Sequence, residues 1–203
     1  MARKTWKQMT KMERRVAIAK DVLKVLNLKN VIAEQGTYFE ERNGRKKDFG
    51  CSIKPSHTCT VCAKGALLLG FMENRKLNPT NKADNVIVDK DLDGNFERCI
   101  GNDYISDKLA PTFGEEMLDD IETCFELWDW KLRYKLDNPD DVMDMYSAHS
   151  PRDRIRGIMG NIIKHDGNFV VAAGPIFYRP KKRKAVKAAK NGKKTSAKKS
   201  RAR

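Results

Sequence analysis

The chain is poor in several things that would make its function easy to read. It has no long hydrophobic stretch: the longest apolar run, GALLLGF at 65–71, is far short of the roughly 20 residues that cross a bilayer as a helix. A secretory leader is not expected either, because the apolar residues after Val16 are interrupted by Lys20, Asp21 and Lys24, where a leader needs an unbroken apolar core of about 7–15 residues. Histidine is scarce, with three residues at 57, 149 and 165. There is no second CxxC and no HxxxH, so the usual zinc pattern of two closely spaced ligand pairs is not met. No glycine-rich phosphate loop accompanies any acidic pair. The five cysteines, at 51, 59, 62, 99 and 124, are odd in number and scattered, which predicts free thiols in a reducing, intracellular setting in place of a disulfide framework.

Acidic residues are missing altogether from 181–203, and that absence is the most informative. The segment holds 12 Lys and Arg, namely Lys181, Lys182, Arg183, Lys184, Lys187, Lys190, Lys193, Lys194, Lys198, Lys199, Arg201 and Arg203, and it accounts for 12 of the formal charge of +14. The rest of the chain carries only the remaining +2, so the basicity is an appendage. With 203 residues and 40% apolar composition, one well-buried core of ordinary domain size is expected. The sequence therefore divides into a globular domain over 1–178 and a disordered Lys/Arg-rich tail over 179–203, where apolar periodicity is absent.

Within the domain, Thr10 and Glu13 make a T-x-x-E capping box, and Val16, Ala19, Leu23 and Leu26 recur at helical spacing, predicting a helix over about 10–28. The next segment mixes β-formers (Val31, Ile32, Tyr38, Phe39) with the turn signals Gly36 and Asn43-Gly44, and reads as a hairpin or loop with little core. A second helix is expected from Thr58 or Thr60 to Asn74. A polar region with a β-like run at Val86–Val88 follows. A third helix is expected from Thr112, where Thr112 and Glu115 repeat the capping pattern ahead of Met117, Leu118, Ile121 and Phe125. The clearest helix begins at Ser150-Pro151 and ends near Lys164, His165 and Gly167, with Ile155, Ile158, Met159, Ile162 and Ile163 as its buried stripe. The segment NFVVAAGPIFYRP after it reads as a short strand or a docked extended piece. The expected fold is thus mainly α, of the α+β kind, with four or five helices and a small β hairpin or strand pair.

The order of motifs, CTVCAKGALLLG, then LAPTFGEEMLDDIETCFE, then RDRIRGIMGNIIKHDGNFV, resembles a group of uncharacterised small proteins of tailed phages and prophages. Those proteins share a CxxCAxGALLL helix, an IExxFE helix and an RxxxIMxNII helix. The resemblance covers roughly residues 10–170 and implies no assigned activity; the basic tail departs from it.

Four groups of residues are candidates for chemistry. Cys59 and Cys62 have CxxC spacing, and Cys51 and His57 lie close enough in sequence to complete a zinc set. A reactive thiol with His57, His149 or His165 as base is the other chemical reading. Against both, Cys59, Cys62, Ala66 and Leu69 share one face if the segment is helical, which predicts simple packing. In DKDLDGNFERCI, Asp89, Asp91, Asp93 and Gly94 match the start of a calcium loop, but the twelfth position is Ile100 in place of Glu. A looser cation site would add Glu97; a solvated Asp-Gly turn between two extended pieces is the simpler reading. Glu122 and Glu126, one helical turn apart, could serve acid/base work, although acidic residues on a helix are usually its wet face. Finally, the 12 basic residues of the tail can neutralise phosphates and release counterions, giving sequence-indifferent, salt-sensitive binding.

The functional expectation is a phage-type accessory protein that binds nucleic acid through its tail and needs no cofactor. The alternatives are a modulator of a host protein acting through the helical body, and a zinc- or thiol-dependent protein centred on Cys59 and Cys62. No catalytic residue is nominated and no membrane partner is expected. The location implied is the cytoplasm of a bacterial host, or the nucleus of a eukaryotic one if PKKRKAV at 180–186 acts as an import signal.

Overall fold

In the computed structural model of the chain, residues 4–44, 58–75, 86–90, 96–128 and 136–178 are described. Among them are six α-helices and a five-stranded sheet. The tail expected to be disordered, at 179–203, lies outside the described residues.

The first helix, α1 (Lys11–Val25), starts where the capping box places it. Thr10 Oγ1 accepts the Glu13 N–H at 3.2 Å, and the Glu13 carboxylate accepts the Thr10 N–H at 2.8 Å, so two amide groups that a helix end leaves bare are satisfied reciprocally. Ile18, Ala19, Val22 and Val25 form its buried face, which packs on the helices described below as α2 and α6.

Strands β1 (Val31–Ala33), β2 (Phe39–Gly44) and β3 (Thr58–Val61) follow. β3 lies between the other two, parallel to β1 with Val31 opposite Cys59, and antiparallel to β2 with Phe39 opposite Val61. Val31 and Phe39 are buried, so this segment supplies more core than its turn-rich sequence predicts. The helix expected from residue 58 or 60 begins later, as α2 (Ala63–Arg75). Residues 58–61 are strand because two neighbours pair with them, and Thr58, Thr60 and Val61 are β-branched. Gly65 is required one turn into α2: a Cβ there would stand 1.7 Å from the Tyr38 carbonyl oxygen.

The extended pieces expected on either side of the Asp-Gly turn are β4 (Val86–Lys90) and β5 (Phe96–Ile100), antiparallel, with β5 also paired to β2; the turn residues 91–95 lie outside the described residues. The sheet order is β1-β3-β2-β5-β4, larger than a hairpin or strand pair.

A helix that the sequence pattern does not announce, α3 (Asn102–Phe113), comes next; Thr112 lies inside it and is no cap. Gly114, at φ +83°, separates it from α4 (Glu115–Glu126), whose buried residues include Leu118, Ile121, Cys124 and Phe125. The short helix α5 (Pro139–Ser147) has Pro at its start and buries Val142, Met143 and Tyr146. The last, α6 (Pro151–Lys164), is as the sequence predicts: Ser150 Oγ accepts the Asp153 N–H at 3.2 Å, and nine residues of the helix are buried. The chain then makes one 3-10 turn at Val171–Ala173 and crosses α6 as a docked extended segment. The Ile176 N–H donates to the Gly157 carbonyl at 3.0 Å, and Asn161 Nδ2 donates to the carbonyls of Val170 and Gly174, each at 2.8 Å. No helix among the described residues is long and apolar enough to cross a membrane.

Candidate functional site

The CxxC pair straddles a strand-to-helix junction. Cys59 is in β3 and Cys62 directly precedes α2, so the single helical face expected to hold both is replaced by two elements. Both side chains are nevertheless buried, at 0% and 1% exposure. Cys62 occupies the position of a helix cap, and its Sγ accepts the Gly65 N–H at 3.5 Å. A helix N-terminus lowers a thiol's pKa where water reaches it. Here burial outweighs that effect: desolvation first, with the Glu126 and Glu122 charges adding to it, pushes the Cys62 thiol up to about 12. Cys124 is pushed up by burial as well. A thiol of this kind stays protonated at neutral pH and is a poor nucleophile.

The two described histidines are engaged elsewhere. His149 stands edge-on to Phe177 with ring centroids 4.9 Å apart, and His165 Nδ1 is 3.0 Å from the side-chain oxygen of Asn161. Cys51 and His57 lie outside the described residues, as do Asp91 and Asp93. Asp89 sits on β4, its Cα opposite Glu97 on β5, so strand and not helix enters this acidic turn. Among the described residues no three His, Cys, Asp or Glu side chains converge as metal ligands would.

Glu122 and Glu126 are placed differently from a solvated acidic face. Glu122 is buried and its Oε2 accepts from Lys64 Nζ at 2.6 Å, each side chain being only 6% exposed. Lys64 Nζ also donates to Asn102 Oδ1 at 3.2 Å, and the Tyr38 hydroxyl bonds to Glu122. That hydroxyl is pushed above its ordinary pKa, by burial first and then by the neighbouring carboxylate. Glu126, half-buried, accepts the Gly36 N–H at 3.0 and 3.2 Å. Burial raises its pKa above the ordinary carboxylate value, with the Gly36 N–H and Arg154 opposing and Glu122 reinforcing the rise.

Around this pair, the C-terminal carbonyls of α4 are capped by distant side chains. Arg154 donates to the Phe125 carbonyl at 2.6 Å and to Gln35 Oε1 at 3.3 Å, and Gln35 Nε2 donates to the Glu126 carbonyl at 3.0 Å. A cation there suits the negative end of the helix dipole. The network fastens the β1–β2 turn, α2, α3, α4 and α6 to one another. Sequence reading missed Lys64, whose only signal is a charged residue opening an otherwise apolar helix. With each charge met by a partner inside the core, the arrangement is suited to fixing the fold and not to acid/base turnover.

The open site lies on the other side of α1. A cleft of about 1000 Å³ runs between α1 and the extended segment after α6. Met9, Met12, Val16, Ala17 and Leu23 line its apolar part. Lys4, Lys20, Lys24 and Arg156 are its cationic residues, and Glu13, Asp21 and Asp166 its carboxylates. Two of those carboxylates are already neutralised: Lys4 Nζ is 2.6 Å from Glu13 Oε1, and Lys24 pairs with Asp21. Phe177 and Tyr178, 46% and 38% exposed, also line the cleft. The 12 basic residues of 181–203 lie outside the described residues, but the last described residue, Tyr178, places their point of departure at this cleft.

Comparison of the chain with protein-family models, with curated proteins and with solved structures finds no match.

Proposed function

We propose that this protein is an accessory nucleic-acid-binding protein of the tailed-phage kind, holding DNA or RNA electrostatically through residues 181–203. The observation that carries the reading is the charge distribution: 12 of the net +14 fall in 23 consecutive residues without one Asp or Glu. Such a segment displaces condensed counterions from a phosphate backbone, and the logarithm of affinity falls with the logarithm of salt concentration by about 0.9 per phosphate neutralised on duplex DNA. Aromatic residues are absent from 181–203, so the segment has nothing with which to stack on bases, and binding by it is indifferent to sequence.

The test compares the full chain with one ending at residue 180, by fluorescence anisotropy on a 20-base-pair duplex over a range of salt. Loss of the tail is expected to flatten the salt dependence by about four or more units and to weaken binding at 50 mM salt by about a hundredfold or more. Equal affinity and equal slope for the two chains would sink the reading.

A further inference from the structure

The α1 cleft has two properties that a phosphate-binding tail lacks: an apolar lining and exposed aromatic rings. From these we infer that the cleft is a docking surface for a single-stranded nucleic acid, with bases packed against Phe177, Tyr178 and the α1 wall and the phosphates directed to Lys20 and the neighbouring cations. The inference rests on the reading of the tail as a nucleic-acid anchor and adds to it the class of strand and a second contact surface.

Three observations choose this occupant. The first is charge. The residues lining the cleft include Lys4, Lys20, Lys24 and Arg156 against Glu13, Asp21 and Asp166. Glu13 and Asp21 pair with Lys4 and Lys24, and Arg156 pairs with Asp153, which leaves Lys20 exposed on the α1 wall. Four lining cations against three carboxylates leave one net positive charge, with Lys20 as the cation placed to meet a phosphate. The second is chemistry. Duplex DNA keeps its bases stacked and presents mainly phosphate, whereas an unpaired strand offers planar apolar faces that pack on aromatic and aliphatic side chains. Phe177 and Tyr178 are side by side in sequence and both open to solvent at the cleft. The third is continuity. Lys181 follows Tyr178 by three residues, so a strand gathered by the tail is delivered to the mouth of the cleft without any rearrangement of the body.

The Phe177 ring is held in place for this role. Phe177 packs edge-on to His149, and the segment leading to it is fastened to α6 through the Ile176 N–H and the Gly157 carbonyl. Stacking on a ring already fixed costs less ordering than stacking on a free one.

The experiment uses the full chain and a Phe177→Ala, Tyr178→Ala double variant, with a 20-nucleotide oligo(dT) and a 20-base-pair duplex as probes. Both side chains are exposed, and thermal unfolding of the variant confirms that the body is intact. The double variant should bind oligo(dT) about tenfold or more weakly, since each lost base–aromatic contact is worth ~1–3 kcal/mol. Its duplex affinity and its salt slope should be unchanged. In parallel, photo-crosslinking with 5-bromodeoxyuridine in the oligonucleotide should mark Phe177, Tyr178 or residues of α1. Unchanged oligo(dT) affinity, or crosslinks confined to 181–203, overturns the inference while leaving the tail reading intact, and returns the cleft to an amphipathic peptide of a protein partner. Failure of the full chain to bind either probe at 50 mM salt would instead remove the reading on which the inference rests.

Discussion

Lys64 and Glu122 are the two charged side chains whose burial costs this protein the most and whose pairing repays it. Removing both ions from water costs several kcal/mol each, recovered by a 2.6 Å contact and by the further bonds from Tyr38 and to Asn102. Glu122→Ala strands an ammonium group in the core and is expected to cost ~3–5 kcal/mol in urea unfolding. Lys64→Met combined with Glu122→Leu should recover about half of that loss or more, since no uncompensated charge remains. A double variant no more stable than Glu122→Ala would show that the pair is worth more than its geometry implies. Cys62 gives a prediction in pH. The folded state holds its thiol neutral up to about 12, against about 8.5 in an unfolded chain. Its contribution to stability is therefore complete below pH ~8.5 and is lost as pH rises toward 12, with a slope of at most ~1.4 kcal/mol per unit. Cys62→Ala should flatten the alkaline decline by that share in urea titrations between pH 8 and 11; an unchanged decline would mean the thiol is reached by water.

Among the elements, the contact between α6 and the segment after it depends on a glycine. A Cβ on Gly160 would stand 1.5 Å from the Ile176 carbonyl oxygen, a backbone atom that cannot rotate away. Gly160→Ala should lift the 175–178 segment, cost about 1–3 kcal/mol through overpacking, and speed amide exchange at Ile176, whose N–H otherwise bonds to Gly157. Normal exchange at Ile176 in that variant would show that the helix yields instead. The elements differ in how legible they were. α1 and α6 could be read because a polar cap, an acidic third residue and a 3.6-residue apolar stripe all agree. The start of α2 misled because Cys59, Cys62, Ala66 and Leu69 fit helical spacing, while the pairing of 58–61 with two other strands is a non-local fact. α3 was hidden by Pro111 and by Thr112, whose spacing to Glu115 imitates a cap although Gly114 makes the break. Of the sites, the burial of Cys59 and Cys62 was legible, because free cysteine is among the most often buried residue types. The ion pair of Glu122 was not, because Lys64 is 58 residues away in sequence, and periodicity carries no information about partners.

Taken whole, the molecule is electrically polarised in a way its near-neutral body total conceals. Residues 1–29 and 181–203 are strongly basic, while residues 115–144 hold 11 Asp and Glu against 3 Lys and Arg. On the proposed reading, an approaching polyanion is attracted by the basic residues of 1–29 and 181–203 and repelled by the acidic residues of 115–144. The fastening of 175–178 onto α6 then sets a length scale. Because Ile176 is bonded to the body, the chain enters residues 179–203 from a fixed point. Residues 179–203 cannot reach farther than about 90 Å even if fully stretched. On the proposed reading of the tail, a polyanion bound by it is kept within this radius of the cleft, which turns a search through bulk solution into a local one and raises the effective concentration of strand at the α1 wall.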